Sequence, residues 1–297
     1  MKPAPFAYHD PPDLETALRL LAEFGDSARV LAGGQSLMPM LNLRLARPDH
    51  LIDLRRIAGL SGVEIFDSRL SIGAMTTHRT VETSSTVRRA APLLSEAAAH
   101  VGHIPIRERG TIGGSLSLAD PTAELPLASL VLGAQMTMES VRGSRSVPAV
   151  EFFHSALQTE LADDEILTSI SFPLPRTDIG SAFAEFTRRQ GDFAIVGVGV
   201  LAGVKDGHYE SARIGLCGVS DRPFRSAEAQ RLVGEPIGEQ TTKRIAEAIA
   251  DELEPVDDRR ASAQDRRDIA RALICRALTL ATARAAVVAT TEEGTTR

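Results

Sequence analysis

Two glycine pairs are the segments of this sequence whose residue types could bind a ligand. Residues 31–37 read LAGGQSL directly after a short apolar run, and residues 111–115 read TIGGS. Because glycine lacks a Cβ atom, such turns can adopt positive φ and direct successive N–H groups into one concavity that suits phosphate oxygens. The hydroxyls of Ser36, Thr111 and Ser115 could add donors. The predicted chemistry is the binding of a diphosphate that the two turns approach from both sides.

Each turn alone is weak evidence for such a site. Neither segment matches the dinucleotide fingerprint GxGxxG or the P-loop pattern GxxxxGK[ST]. An isolated Gly-Gly pair is most often an ordinary turn. Arg107 and Arg109, which flank the second pair, could balance phosphate charge or could simply be solvated side chains.

Other familiar site patterns are missing from the sequence. No GxSxG elbow accompanies a Ser-His-Asp order, and His100 and His103 have no third ligand in a recognisable metal motif. Cys217 and Cys275 are the only cysteines, too few for an iron–sulfur cluster and too far apart for a Cys-x-x-Cys motif. We therefore assign no catalytic residue and no metal ligand to this chain.

The composition is that of an ordinary globular protein. Of the 297 residues, 43% are hydrophobic and 24% are charged, which excludes disordered and collagen-like classes. The formal net charge of −6 argues against a general nucleic-acid binder. No apolar run is long enough for a transmembrane helix or a signal peptide, so the expected compartment is the cytoplasm.

Hydrophobic periodicity predicts the elements around the glycine pairs. Residues 13–24 form a predicted helix with Asp13 as N-cap, and residues 28–32 form a strand that leads into the first pair. Residues 106–118, which contain the second pair, are predicted to be a loop. Residues 135–147 read as a hairpin, and residues 165–172 alternate like an edge strand.

The Pro173-Leu174-Pro175 stretch marks the best domain boundary, because the composition changes there. Beyond it the pattern predicts a small antiparallel sheet covered by helices. The predicted strands are residues 183–188, 194–204 and 212–219, and the predicted helices are residues 226–232, 241–253 and 265–286.

Longer motifs surround both glycine pairs, in a fixed order along the chain. They are AGGxSL at residues 32–37, LxLRxxxP at 41–48, IRxRGTIGG at 106–114, GDFA at 191–194 and GVSDRP at 218–223. On these motifs the chain resembles the FAD-binding medium subunit of the molybdenum hydroxylases, the family of carbon monoxide dehydrogenase and xanthine dehydrogenase. The resemblance covers nearly the whole chain.

The resemblance implies an α+β fold. It consists of a vanillyl-alcohol-oxidase (PCMH) type FAD-binding domain with two α/β subdomains, followed by a small C-terminal α+β domain with an antiparallel sheet and helices. The implied boundaries are residues 1–175 for the first domain (subdomains 1–56 and 57–175), 176–288 for the second, and a flexible tail at 289–297.

The resemblance also implies the cofactor FAD and the residues that contact it. These residues are Leu31, Ala32, Gly33, Gly34, Gln35, Ser36, Leu37, Thr111, Ile112, Gly113, Gly114, Ser115, Glu124 and Leu167. Both turns would bind the pyrophosphate and ribityl chain, Glu124 would accept hydrogen bonds from sugar or ribityl hydroxyls, and Leu167 would pack against the cofactor. Ser115 stands where relatives usually have Asn, Glu124 where Asp is common, and Ala184-Glu185-Phe186 offers no Lys before the arginine pair.

The implied function is electron transfer within an oxidoreductase. Electrons would pass from [2Fe–2S] clusters of a small subunit through FAD to an external acceptor, while a large molybdopterin subunit carries the substrate chemistry. A dimer of such heterotrimers would be typical of the family. Two alternatives stay open on the sequence: a stand-alone FAD-dependent oxidase or dehydrogenase of the same fold, and a non-catalytic scaffold whose glycine pairs are only turns.

Overall fold

The computed structural model of the chain describes residues 2–174, 176 and 178–293, and these residues form four β-sheets with eleven α-helices packed against them. The strands are β1 (Ala7–His9), β2 (Ala28–Leu31), β3 (His50–Asp53), β4 (Val63–Phe66), β5 (Arg69–Gly73), β6 (Gln135–Ser140), β7 (Gly143–Pro148), β8 (Phe153–Ser155), β9 (Gln158–Thr159), β10 (Ile166–Pro173), β11 (Ile179–Phe186), β12 (Val196–Lys205), β13 (His208–Cys217) and β14 (Phe224–Arg225). The helices are α1 (Leu14–Phe24), α2 (Leu37–Asn42), α3 (His78–Thr83), α4 (Ser85–Ala90), α5 (Pro92–His100), α6 (Ile104–Arg107), α7 (Ile112–Leu118), α8 (Glu124–Leu132), α9 (Ala149–Phe152), α10 (Glu239–Glu252) and α11 (Ala263–Glu293). The expected α+β class is confirmed.

The N-terminal region is a small parallel sheet with the order β1-β3-β2. Helix α1 begins where predicted, since the Asp13 side chain accepts a hydrogen bond from the Thr16 N–H at 2.8 Å and caps the helix. Its apolar face, Ala17, Leu18 and Leu21, is buried with Ile52 of β3. This sheet fixes the position of β2, and the first glycine turn directly follows that strand.

A five-stranded sheet with the order β4-β5-β10-β6-β7 forms the second region, and all of its pairings are antiparallel. The predicted hairpin is confirmed as β6 and β7. Helix α8 is buried along its whole length, including Glu124, so it runs through the core instead of lying on the surface. Helices α3 to α7 connect this sheet to the second glycine turn.

The C-terminal region is an antiparallel sheet with the order β11-β12-β13-β14, covered by α10 and α11. Its core is separate from that of the five-stranded sheet, but Phe183, Ala194 and Cys217 belong to the core of the latter. The two regions therefore share a buried contact. The predicted helix at residues 226–232 is a 3₁₀ helix over Glu228–Leu232.

Two parts of the implied domain scheme border on undescribed residues. The boundary between residues 175 and 176 lies beside residues 175 and 177, which are outside the described part of the chain. Residues 289–293 of the expected tail continue α11, and residues 294–297 lie outside the described residues. Within the described ranges, no helix combines the length and apolarity needed to span a membrane.

The prediction that residues 165–172 form an edge strand is wrong, because β10 is the central strand and pairs with β5 and β6 on its two sides. The error arose because β10 contains polar residues at intervals, as a strand with one face exposed to solvent would. Within the sheet they are satisfied by neighbours: Ser171 Oγ accepts a hydrogen bond from Arg69 at 3.0 Å, and Thr168 donates to the Thr137 carbonyl at 3.3 Å. Hydroxyls of this kind can therefore lie inside a sheet.

The prediction of a loop at residues 106–118 is also wrong. The segment contains the end of α6, a turn at Gly110, and α7 with Thr111 as its N-cap. The glycines suggested a loop, but Ile112 and Leu116 are fully buried and anchor the helix. Gly113 lies so close to Ala74 that an added Cβ atom would sit 2.5 Å from the Ala74 Cβ. Close packing therefore overrides the low helix propensity of glycine.

Candidate functional site

The first glycine turn lies between β2 and α2. Gly34 adopts φ +74°, the left-handed region that favours glycine. Its carbonyl and that of Ser36 accept hydrogen bonds from α2, at 3.1 and 3.2 Å. Among the described residues no acceptor faces the N–H groups of residues 33–37. The turn thus presents the run of free backbone donors that the sequence predicted.

The second glycine turn differs from that prediction. The N–H groups of Ile112 and Gly113 donate to the carbonyls of Thr76 and Ala74, at 3.0 and 2.8 Å. Those of Gly114 and Ser115 donate to the hydroxyl and the carbonyl of Thr111, at 3.1 and 3.0 Å. The expectation of a second concavity lined by free N–H groups is therefore wrong, because the turn is the capped first turn of α7. Its partly exposed atoms belong to Gly114 and Ser115.

The structure brings the two turns into direct contact. A Cβ atom on Gly33 would overlap the Arg109 carbonyl oxygen and lie 2.7 Å from the Gly110 Cα. A Cβ atom on Gly114 would lie 3.5 Å from the Cβ of Ala32. The absence of side chains at these glycines lets two backbones cross, which is the proximity that the sequence could only suggest.

His78 positions the second turn, and no sequence motif pointed to it. Its backbone N–H donates to the Gly110 carbonyl at 2.8 Å, and its ring Nε2 donates to the Thr111 carbonyl at 2.8 Å. Burial lowers the pKa of His78 to about 4, so the ring is neutral at physiological pH. The ring also lies 3.0 Å from the Cβ position of Gly110, which leaves no room for a side chain there. In the sequence, the one hint of this contact is the glycine at position 110, beside Thr111, where a side chain would meet the His78 ring.

Arg107 and Arg109 have different roles in the structure. The Arg107 side chain is buried and donates to the Glu82 carboxylate at 2.9 Å and to the carbonyls of Val101 and Gly102. It therefore holds the connection between α5 and α6 and does not face a ligand. The Arg109 side chain is exposed and has no hydrogen bond or ion pair with any described residue. Of these two arginines, Arg109 is the one whose side chain could balance an anionic ligand.

Glu124 and Leu167 lie in the interior, away from open solvent. Leu167 is 4% exposed and belongs to the core under the five-stranded sheet. Glu124, at the start of α8, is 5% exposed. Burial raises the pKa of its carboxyl to about 8, and the negative charge of Glu185 adds to the effect. Glu124 is therefore mostly protonated at neutral pH and can donate as well as accept a hydrogen bond.

Glu185 lies at the contact between the two cores. It pairs with Gly197 across β11 and β12, and Gly197 pairs with Cys217 on the other side, so the three residues form a row across the sheet. One Glu185 oxygen lies 3.0 Å from His100 Nδ1, and the other is buried with no partner among the described residues. This carboxylate occupies the strand on which a lysine is usual in the family that the sequence resembles.

A loop of the C-terminal region, residues 187–194, contacts the residue that precedes α6. Gly191 adopts φ +84°, and a Cβ atom there would overlap the ring of His103, the residue that precedes α6. Arg188 anchors the loop, because its side chain donates to the carbonyls of Arg259 and Arg260 at 3.0 and 2.9 Å. The sequence alone does not reveal the contact of this loop with His103, since no local pattern encodes a contact so distant along the chain.

Comparison with known proteins gives two matching family models. The FAD binding domain in molybdopterin dehydrogenase matches residues 4–175, and the CO dehydrogenase flavoprotein C-terminal domain matches residues 181–281. The chain is 41% identical over 280 residues to caffeine dehydrogenase subunit beta of Pseudomonas sp. (strain CBB1), covering 94% of this chain and 95% of that protein.

Solved structures give the same result. A carbon monoxide dehydrogenase from Hydrogenophaga pseudoflava that lacks the Mo-pyranopterin moiety superposes with a TM-score of 0.93 at 35% identity, covering 96% of this chain and 99% of that chain. Quinoline 2-oxidoreductase from Pseudomonas putida 86 superposes with a TM-score of 0.92 at 38% identity, with coverages of 96% and 99%.

Proposed function

Because this chain belongs to the family of FAD-binding domains of molybdopterin dehydrogenases, we propose that it is the electron-transfer subunit of a molybdenum-containing hydroxylase. It is an oxidoreductase subunit that carries FAD. In the proposed role it passes electrons from the [2Fe–2S] clusters of a partner subunit to an external acceptor. The observation that carries the proposal is the pair of touching glycine turns within a chain that matches this family over nearly its whole length.

The residues of the two turns fit the diphosphate of this cofactor. The free N–H groups of residues 33–37 supply the donors, and the hydroxyls of Ser36 and Ser115 lie on the exposed side of the turns. Thr111, Ile112 and Gly113 are buried beneath them, so we propose that these residues support the turn instead of reaching the phosphate. The bare backbone at the crossing lets a diphosphate approach closely.

The other proposed contacts concern the remainder of the cofactor. Leu31 and Leu37 flank the first turn at the end of β2 and the start of α2. We propose Glu124 for the sugar or ribityl hydroxyls, where its protonated carboxyl would both donate and accept. Leu167 is proposed to supply apolar packing beneath the cofactor.

The chemistry of the reaction belongs to the cofactor. Bound FAD exchanges electrons singly or in pairs, which suits it to connect one-electron iron–sulfur clusters with a two-electron acceptor. The chain's own residues bind the cofactor, orient it and keep water away from it. We assign no catalytic acid, base or nucleophile to this chain.

The proposed partners follow from what the sequence lacks. Its two cysteines are too few to hold such a cluster, so we propose that another subunit holds the clusters. We propose a small iron–sulfur subunit and a large molybdopterin subunit, assembled with this chain as a dimer of heterotrimers. The proposed compartment is the cytoplasm, where free cysteines are usual.

Absorbance and turnover of the purified chain test this function. We expect flavin absorption bands from the isolated chain and no turnover of substrate until the partner subunits are added. Turnover by the isolated chain would instead support a stand-alone FAD-dependent oxidase or dehydrogenase. A colourless protein that does not bind added FAD would leave only the scaffold alternative.

The two arginines beside the second turn give a matched pair of variants. Arg109→Ala is expected to weaken FAD binding by about tenfold, because one cation that faces the diphosphate is lost, while the free energy of unfolding stays unchanged. Arg107→Ala is expected to lower the free energy of unfolding by about 3 kcal/mol, because it removes a buried guanidinium that donates to the Glu82 carboxylate and to two backbone carbonyls. FAD titration by fluorescence and urea unfolding measure the two effects. Equal effects of both variants on FAD affinity would contradict the assignment.

A further inference from the structure

An exposed apolar turn follows helix α2. Leu43 and Leu45 are 57% and 73% exposed, and Met38 at the start of the helix is 37% exposed. Exposed leucines are common one at a time, but here two lie within three residues of each other and of an exposed arginine, Arg44. We call residues 43–45 the 43–45 turn.

Backbone hydrogen bonds define the conformation of the 43–45 turn. Its three N–H groups donate to the carbonyls of Pro39, Leu41 and Met40, in that order, at 2.9, 3.0 and 2.9 Å. Arg44 adopts φ +59°, an unfavourable conformation for a residue with a side chain. These hydrogen bonds hold the backbone in a conformation that points both leucines away from the core. Conformations of this kind persist where the surrounding structure fixes them, and they cluster at functional positions.

The turn carries positive charge that is not paired with a carboxylate of the described residues. The Arg44 Nε donates to the Lys2 carbonyl at 3.3 Å, and the Arg47 Nε donates to the Arg44 carbonyl at 3.1 Å. Among the described residues, no carboxylate forms an ion pair with Arg44, Arg47 or Lys2. The chain as a whole is acidic, with a net charge of −6, so this basic patch stands out from its surroundings.

We propose that the 43–45 turn is the docking site for the iron–sulfur partner subunit, an inference that rests on the proposed function. Helix α2 begins directly after the first glycine turn, so a subunit seated here lies beside the FAD site. Electron tunnelling falls steeply with distance, which requires the cluster-bearing subunit to dock near that site. The matching surface is an apolar pocket for the two leucines with carboxylates at its rim.

Charge disfavours a second copy of this chain as the occupant. A two-fold axis through the patch would place Arg44 and Arg47 of one protomer against the same residues of its partner. Like charges at such a contact repel each other. A carboxylate-bearing partner avoids this repulsion and forms ion pairs with these guanidinium groups.

The variant Leu45→Glu tests the proposal, with Val256→Glu as the matched control. Val256 is 77% exposed and lies in the C-terminal region, so both variants place a carboxylate on an exposed apolar position. We expect Leu45→Glu to raise the dissociation constant for the iron–sulfur subunit, recovered from the native complex, by at least about tenfold. Val256→Glu is expected to leave it unchanged. Both variants should keep the wild-type FAD content and melting temperature.

The other outcomes separate the two proposals. Wild-type affinity of Leu45→Glu for the iron–sulfur subunit would overturn the docking site while leaving the proposed function intact. The same result combined with loss of binding to phosphatidylserine vesicles would assign the patch to a membrane surface. A wild-type chain that binds neither FAD nor the iron–sulfur subunit would overturn the proposed function and the docking site together.

Discussion

Gly33→Ala is expected to abolish retention of FAD by the purified chain. The added methyl group would overlap the Arg109 carbonyl oxygen, and the neighbouring Gly110 Cα leaves no room for it to shift sideways. The two turns must then separate, so the free N–H groups of the first turn move away from the second. We expect FAD affinity to fall roughly 100-fold. At about 1.4 kcal/mol for each factor of ten, this is a loss of about 3 kcal/mol of binding free energy. Overpacking at the crossing should also cost about 2–3 kcal/mol of stability.

Gly238→Ala is the matched control for this variant. Gly238 has an extended backbone, with φ of 172°, and no atom lies within 4 Å of its Cβ position. It should therefore accept alanine with wild-type FAD content. Flavin absorbance of the purified variants, followed by FAD titration, measures both effects. Full flavin content in Gly33→Ala would show that the crossing of the turns does not hold the cofactor.

Glu124→Gln is expected to stabilise the chain at neutral and alkaline pH. The Glu124 carboxyl has a pKa of about 8 in the fold against an ordinary value of 4.5, because burial disfavours its charged form. The unfolded chain releases this proton above pH 4.5 and the folded chain only near pH 8, so folding becomes progressively less favourable between these values. At about 1.4 kcal/mol per pKa unit, the wild-type chain loses roughly 3 kcal/mol from this group between pH 5 and pH 8.

Glutamine cannot ionise, so the variant should lack this part of the pH dependence. Glu165→Gln is the control, because the fold shifts the pKa of Glu165 in the opposite direction. The Arg145 guanidinium lowers the pKa of Glu165, whose charged form stabilises the fold above the ordinary pKa. Its replacement should therefore destabilise the chain at pH 7. Urea unfolding from pH 5 to pH 9 measures both variants. A pH profile of Glu124→Gln parallel to the wild type would contradict a protonated Glu124.

The sequence predicted most of the elements that show strong periodicity or a clear cap. Asp13 marks the start of α1, and the hairpin of β6 and β7 follows from its turn residues. The positive φ of Gly34 also follows from its residue type. Local signals suffice in these places because the residues that determine the structure are neighbours in the chain.

The errors arose where distant contacts decide the structure. Thr111 caps α7 and accepts hydrogen bonds from N–H groups that the sequence analysis assigned to phosphate. This role of Thr111 is evident only when the segment is known to be a helix. His78 neither belongs to a motif nor lies near residue 110 in the chain. The burial of Glu124 beside Glu185 also depends on how two regions pack together, while its contact with sugar hydroxyls stays a prediction. No window of the sequence contains such information.

A crystal structure of the chain with bound FAD tests the central claim most directly. The account predicts diphosphate oxygens within about 3 Å of the backbone nitrogens of residues 34–36, with Ser115 on the opposite side of the diphosphate. A diphosphate bound elsewhere, with the N–H groups of the first turn facing only solvent, would contradict it.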